Sequence, residues 1–230
     1  MTADPRLIVA LDLPGRADAE AMVERLGDSV SFYKIGLQLF PAGGMEMARD
    51  LKARGRRVFL DWKLHDIGAT VEKAAAAIAA TGAGDLLTVH AEPQVLAAAV
   101  RGARGSGLKV LGVTVLTSLS GQDLGEIGYG LGVEALVGRR IRQAQDAGAD
   151  GVIASPHEAR LARSIGGPDF LVITPGVRPA GANLDDQARA ATPADALANG
   201  ASHLVIGRPI TAADDPRAAA LAIAGEMAGR

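Results

Sequence analysis

Short runs of apolar, often β-branched residues recur from one end of the chain to the other. They are LIVALD (7–12), FYKIG (32–36), RVFLDWK (57–63), DLLTVHA (85–91), KVLGVTVLT (109–117), DGVIAS (150–155), DFLVITPG (169–176) and HLVIGR (203–208). Each is too short for a free-standing helix and almost continuously apolar, the pattern of a strand buried on both faces of a parallel sheet. Between them lie Ala-rich amphipathic stretches such as AEAMVERLG, MEMARDLKARG, VEKAAAAIAATGAG and VEALVGRRIRQAQDAGAD, several ending in the glycine that stops a helix. Ser155-Pro156, Thr192-Pro193 and Asp215-Pro216 each offer an N-cap side chain followed by proline in the first helical turn. Strand-helix alternation throughout predicts a parallel sheet. Eight such units in 230 residues predict that it closes into a (β/α)8 barrel, the TIM-barrel class of α/β fold, as a single domain over residues 1–230. The alternative, an open doubly wound sheet, needs a Gly-rich turn after the first strand, and LDLPGRAD is not one.

Composition narrows the functional classes. With 48% apolar and 22% charged residues, a large core is affordable and disorder is not expected. The net charge of −2, with Lys and Arg scattered singly, excludes a nucleic-acid face or a polybasic membrane anchor. The chain has no cysteine, so disulfides, thiolate metal sites and a cysteine nucleophile are excluded. The start, MTADPRLIVALD, lacks the pattern of a signal peptide, and no apolar run approaches the ~18 residues of a membrane span. A soluble cytoplasmic protein is the expectation.

A barrel carries its functional side chains at the C-terminal ends of the strands. Read in order, those ends supply Asp12, Lys34, Asp61 with Lys63, His90, Thr117, Ser155, Pro175-Gly176 and Gly207-Arg208. Polar and charged groups follow most of the apolar runs, an asymmetry that a purely structural barrel does not need. The third unit, Phe59-Leu60-Asp61-Trp62-Lys63-Leu64-His65-Asp66-Ile67, is the densest. On an extended strand, positions two apart share a face, so Asp61 and Lys63 are expected to project together into the mouth. A lysine among carboxylates is favoured in its ammonium form, which makes it a proton donor and a poor Schiff-base nucleophile. An internal ion-pair network with only a structural role is the alternative for DxKxxD alone. Asp12 and Lys34, arriving at the same rim, weigh against it. Trp62 is expected to face the strand-helix layer, and His65 to serve as a structural hydrogen-bonding residue. His90 is expected to line the pocket, and His157 and His203 to be surface or strand-start positions. No HxH, HxxxH or carboxylate-His cluster proposes a metal site.

LDWKLHDI resembles the signature of the orotidine 5′-monophosphate decarboxylase family. LIVALD, the YKIG of strand two, VTVLTS (113–118), ITPGVRP (173–179) and VIGRPIT (205–211) resemble its other blocks, in family order over essentially the whole chain. The resemblance implies an alternating array of Lys34, Asp61, Lys63 and Asp66, with Asp66 supplied across the interface of a homodimer that shares its active sites. It implies that Lys63 protonates C6 of the pyrimidine as carbon dioxide leaves, and that Asp61 sits against the departing carboxylate. Lys34 and Asp12 then bind ribose hydroxyls, Ile67 and Thr70 cross the interface with Asp66, and Thr117-Ser118 meets the pyrimidine. Arg178, Gln187, Arg208 and the backbone of Gly207 hold the phosphate. The last group is also where barrels usually build a phosphate site, and Arg suits a dianion through its fork of donors. Arg178 and Gln187 fall in RPAGANLDDQARAA, a Gly- and Ala-rich stretch expected to form a lid. One departure stands out: where the family continues HDI with Pro-Asn-Thr, this chain has Gly68-Ala69-Thr70.

The implied substrate is orotidine 5′-monophosphate and the implied product UMP. Loss of its carboxylate leaves a carbanion with no adjacent carbonyl, chemistry for which enzymes usually recruit pyridoxal phosphate, thiamine or a metal. The sequence offers a motif for none of these, so the expected cofactor is none and the expected mechanism is electrostatic preorganisation. Two alternatives remain: a magnesium-dependent sugar-phosphate barrel resembling hexulose-phosphate synthase, and an inactive barrel kept as a phosphate-ligand sensor. The first carries an acid at the end of strand two where this chain has Lys34. The intact array argues against the second.

Overall fold

The structure, a computed structural model, describes residues 3–179 and 191–229. Eight strands pair in parallel, in the order β1 to β8 with β8 closing on β1, so the sheet is a closed barrel. They are β1 (Leu7–Ala10), β2 (Phe32–Gly36), β3 (Arg57–Leu64), β4 (Leu86–His90), β5 (Lys109–Val113), β6 (Gly151–Ile153), β7 (Leu171–Thr174) and β8 (His203–Ile206). Seven of the eight apolar runs contain one of them outright, and β3 outruns its own by one residue, Leu64. The helices are α1 (Arg16–Leu26), α2 (Gly44–Ala53), α3 (Gly68–Thr81), α4 (Pro93–Ala103), α5 (Gly121–Ile127), α6 (Val133–Asp146), α7 (Ala159–Gly166), α8 (Pro193–Ala198), α9 (Arg208–Thr211) and α10 (Pro216–Met227). Among the described residues, no helix is long and apolar enough to cross a membrane.

Two apolar layers follow from the alternation of side chains along each strand. Ile8, Phe32, Phe59, Leu86, Leu111, Ile173 and Val205 point inward and fill the barrel. Val9, Tyr33, Leu60, Leu87, Val152, Val172 and Leu204 point outward and pack under the helices. Trp62 belongs to this outer layer, 6% exposed and against the Phe40 ring at 4.7 Å, as its place between Asp61 and Lys63 requires. The inner core is thus a floor. The next inward positions on β2 and β3 are Lys34 and Asp61, and Asp12 follows Ala10 just beyond β1.

Two of the three Ser/Thr/Asp-Pro signals start helices. Thr192 Oγ1 accepts from Asp195 N–H at the head of α8, and Asp215 Oδ1 from Ala218 N–H at the head of α10. Ser155-Pro156 does not. The chain turns for three residues before α7, and Glu158 takes the N-cap position while its carboxylate accepts the Ser155 N–H at 3.0 Å. That bond ties Glu158 back under β6 and buries Ser155 completely.

Candidate active site

A cavity of about 580 Å³ opens at the C-terminal end of the barrel. Of the residues expected at the site, it is lined by Asp12, Lys34, Asp61, Lys63, Thr117, Arg178, Gly207 and Arg208. Lys34, only 7% exposed, donates to both carboxylate oxygens of Asp12 at 2.9 and 3.1 Å and lies 3.5 Å from Asp61 Oδ2. Lys63 Nζ donates to Asp61 Oδ1 at 2.9 Å. Asp61 therefore stands between two ammonium groups. Burial pushes its carboxyl up, but the charges of Lys34 and Lys63, with hydrogen bonds from Lys63 and Thr88, outweigh that and hold it below the usual carboxylate range.

The backbone is distorted where this cluster forms. Between β3 and β4, Leu60 pairs with Leu87 but Leu64 with Val89, so β3 spends two extra residues on the interval. Bulges of this kind re-aim side chains. Lys63, with φ of +48°, is the one non-glycine residue with positive φ among those described. Its N–H leaves the ladder and donates to Thr88 Oγ1 at 3.0 Å, while the same hydroxyl donates to Asp61 Oδ1 at 3.0 Å. Thr88 thus fixes both the backbone of the lysine and the carboxylate beside it. Sequence reading overlooked Thr88, although it is the polar inward position in the otherwise apolar LLTVH. It also overlooked Gly36, which shares the inward face of β2 with Lys34 and lets Asp12 and Lys34 meet above it.

Two further cations line the cavity after β7 and β8, the latter paired with β1. Arg208 opens α9 directly after β8, beside Gly207, and Arg178 follows β7, 7% exposed, with its guanidinium donating to Val177 O. Pro175 and Gly176 line the cavity between them. Val177 pairs with Ala191, and Arg178 N–H donates to Ala191 O, so the two described ends of the expected lid lie side by side. Gln187 lies outside the described residues.

Other expected residues are not brought to this cavity within one chain. Asp66, Ile67 and Thr70 are exposed around the start of α3, with Asp66 Oδ1 accepting the Ile67 N–H at 2.6 Å and Ile67 72% exposed. Ser118 is exposed in the turn beside Thr117 and does not reach the wall. His90 does not line the pocket. Its ring stacks on His65 at 4.8 Å, and burial is the main cause of its lowered pKa. Ser155 is buried beneath the rim instead of facing the cavity.

An inner floor of hydrocarbon, an alternating Lys-Asp-Lys cluster at the ends of β2 and β3 and two arginines after β7 and β8 suit an anionic ligand with a phosphate at one end. The sequence pattern of the "Orotidine 5'-phosphate decarboxylase / HUMPS family" matches residues 5–223. The chain belongs to this family. It is 66% identical to an orotidine 5'-phosphate decarboxylase of a Caulobacter species over 229 residues, all of both chains. It is 56% identical to that of Methylobacterium radiotolerans over 228 residues, 98% of each chain. Among solved structures it resembles orotidine 5'-phosphate decarboxylase from Lactobacillus acidophilus, with a TM-score of 0.85 and 39% identity, covering 97% of this chain and 99% of that one.

Proposed function

We propose that this chain is an orotidine 5′-phosphate decarboxylase, converting orotidylate to UMP and carbon dioxide in pyrimidine biosynthesis without a cofactor. The observation that carries the reading is Lys34, buried between Asp12 and Asp61 with Lys63 on the far side of Asp61. An ammonium at the end of β2 suits ribose hydroxyls and would repel the magnesium ion of a hexulose-phosphate type of site. The phosphate is assigned to Arg178, Gln187, Arg208 and Gly207, and the pyrimidine to the Thr117-Ser118 side.

In the reaction the electron pair of the C6–carboxylate bond stays on C6 as carbon dioxide leaves. Lys63 delivers a proton to C6 and is recharged from solvent. The Lys63 ammonium stands where negative charge develops, already oriented by Asp61, so no reorganisation is needed at the moment of reaction. Asp61, held ionised, faces the substrate carboxylate and adds repulsion relieved as that group departs. Binding energy from the distant phosphate serves to order the site.

The exposed Asp66, Ile67 and Thr70 are assigned to the site of a second copy. Leu37 and Phe40, exposed by 56% and 52%, add apolar surface beside the mouth and support a homodimer. The cytoplasm is the assigned location. The test is loss of orotidylate absorbance with dialysed, EDTA-treated protein. Full activity is expected. Loss restored by magnesium would overturn the cofactor-free mechanism, and no turnover under either condition would sink the decarboxylase reading.

A further inference from the structure

Outside the cavity, a buried polar cluster is built around Arg140 of α6, which is 8% exposed. Its guanidinium donates to the backbone carbonyl of Thr114, to Glu92 Oε1 at 3.0 Å and to the Tyr129 hydroxyl at 2.7 Å. It also lies over the Tyr129 ring, 5.1 Å from the centroid. Thr114 is the first residue after β5, and Tyr129 lies in the connection from α5 to α6. One side chain therefore grips both ends of the segment 114–129. Glu92, at the head of α4, supplies the balancing carboxylate from the neighbouring unit.

That segment carries Val115, Leu116 and Thr117 to the cavity wall. Further bonds hold it at Thr114 and at the start of α5. Thr114 Oγ1 donates to Ile153 O at 2.7 Å, and Ser120 and Asp123 form a reciprocal capping box at the start of α5. Leu116 is 39% exposed, so burial alone does not hold the tip.

We infer that Arg140 is a positioning residue for the decarboxylase, a clasp that holds segment 114–129 against the base-binding side of the cavity. It touches no substrate and acts through Leu116 and Thr117. This rests on the function proposed above, because the base lies on that side only if the phosphate lies at Arg178 and Arg208. The fork geometry of arginine is essential to the role, since a lysine offers a point charge that cannot hold three partners in a plane.

The tests use Arg140→Lys and Tyr129→Phe, because Arg140→Ala would leave the half-buried Glu92 without its cation and can fail to fold. Inhibition by UMP, which has the base, is compared with inhibition by ribose 5-phosphate, which lacks it. In Arg140→Lys, the UMP inhibition constant and the orotidylate KM are expected to rise about tenfold, below the ~10²-fold of a full 1 Å misplacement. Ribose 5-phosphate should be unchanged within about twofold, and Tyr129→Phe should shift the same way by about threefold, less than Arg140→Lys because the guanidinium keeps its other two partners. Equal weakening of both ligands, or of neither, overturns the inference. Amide exchange of the ligand-free protein is the second readout. Faster exchange confined to 114–129 in Arg140→Lys supports the clasp, and unchanged exchange there overturns it. This readout is independent of substrate, so a wild-type protein that fails to bind UMP refutes the proposed function and leaves the clasp still decided.

Discussion

Gly36→Ala should separate catalysis from stability. A Cβ at this position would lie 2.5 Å from Asp12 Oδ1 and 2.7 Å from Lys34 Nζ. Ordinary contact is about 3.5 Å, so each tip must retreat by roughly 0.8–1.0 Å. Both are the free ends of flexible side chains, and the backbone of β2 has no reason to move. The Asp12–Lys34 pair splays, and Lys34 drifts from its 3.5 Å approach to Asp61. A misplacement near 1 Å costs on the order of 10²-fold, or about 2.7 kcal/mol of transition-state stabilisation. Folding should be unaffected or slightly helped, because alanine lowers the entropy of the unfolded chain by the equivalent of about 0.4–1 kcal/mol. The assay is kcat/KM for orotidylate beside a thermal melt of the same preparation. A variant that melts at or above the wild-type temperature and keeps more than about a third of its kcat/KM would refute the reasoning, because the predicted loss is ~10²-fold.

Arg208→Ala should weaken orotidylate binding by on the order of 2–3 kcal/mol, the range of a charge-assisted hydrogen bond, and leave the phosphate-free nucleoside nearly unaffected. Equal losses for both would make Arg208 structural. Lys63→Ala and Asp66→Asn should each be nearly inactive, yet subunit exchange between them should restore up to about half the activity per mixed dimer, because one site then carries both lesions and the other neither. No recovery, with exchange confirmed by a tag, would assign Asp66 to its own subunit. His203, at the foot of the barrel, is pushed down from 6.5 to about 4, first by burial and then by Arg57 and Lys109. The unfolded chain takes up this proton more readily, so the stability is complete above pH 6.5 and is lost as the pH falls toward 4. The loss should reach on the order of 2–3 kcal/mol by about pH 4.5, since each tenfold difference in proton affinity between the folded and unfolded chain is worth ~1.4 kcal/mol. In urea unfolding, His203→Leu should flatten this pH dependence, and parallel curves for the two proteins would remove His203 as the cause.

The barrel was legible because strands buried on both faces leave uninterrupted apolar runs, and the rim because each run ends on a polar group. Asp61 and Lys63 meet, as their two-residue spacing requires, but the way they meet was hidden. Alternation describes a regular strand, whereas here a bulge and a left-handed residue complete the approach, and the stabilising hydroxyl comes from Thr88 on the next strand. Ser155 was misread because a carboxylate three residues on, Glu158, claims its N–H. Arg140 was invisible for a different reason. Its partners lie 26, 48 and 11 positions away, and no local pattern links them.

With the proton-donor role proposed for Lys63, its left-handed backbone sets folding against function at a single position. A non-glycine residue held there costs on the order of 1–3 kcal/mol, a sizeable fraction of the roughly 5–15 kcal/mol that typically separates a folded domain from its unfolded chain. Glycine would relax the strain, so a laboratory selection that rewards only heat resistance should drift away from lysine at residue 63. A selection that rewards growth without added pyrimidine should hold it. The most thermostable descendants of this chain and the most active ones would then part company first at this residue, before any change in the apolar floor or the surrounding helices.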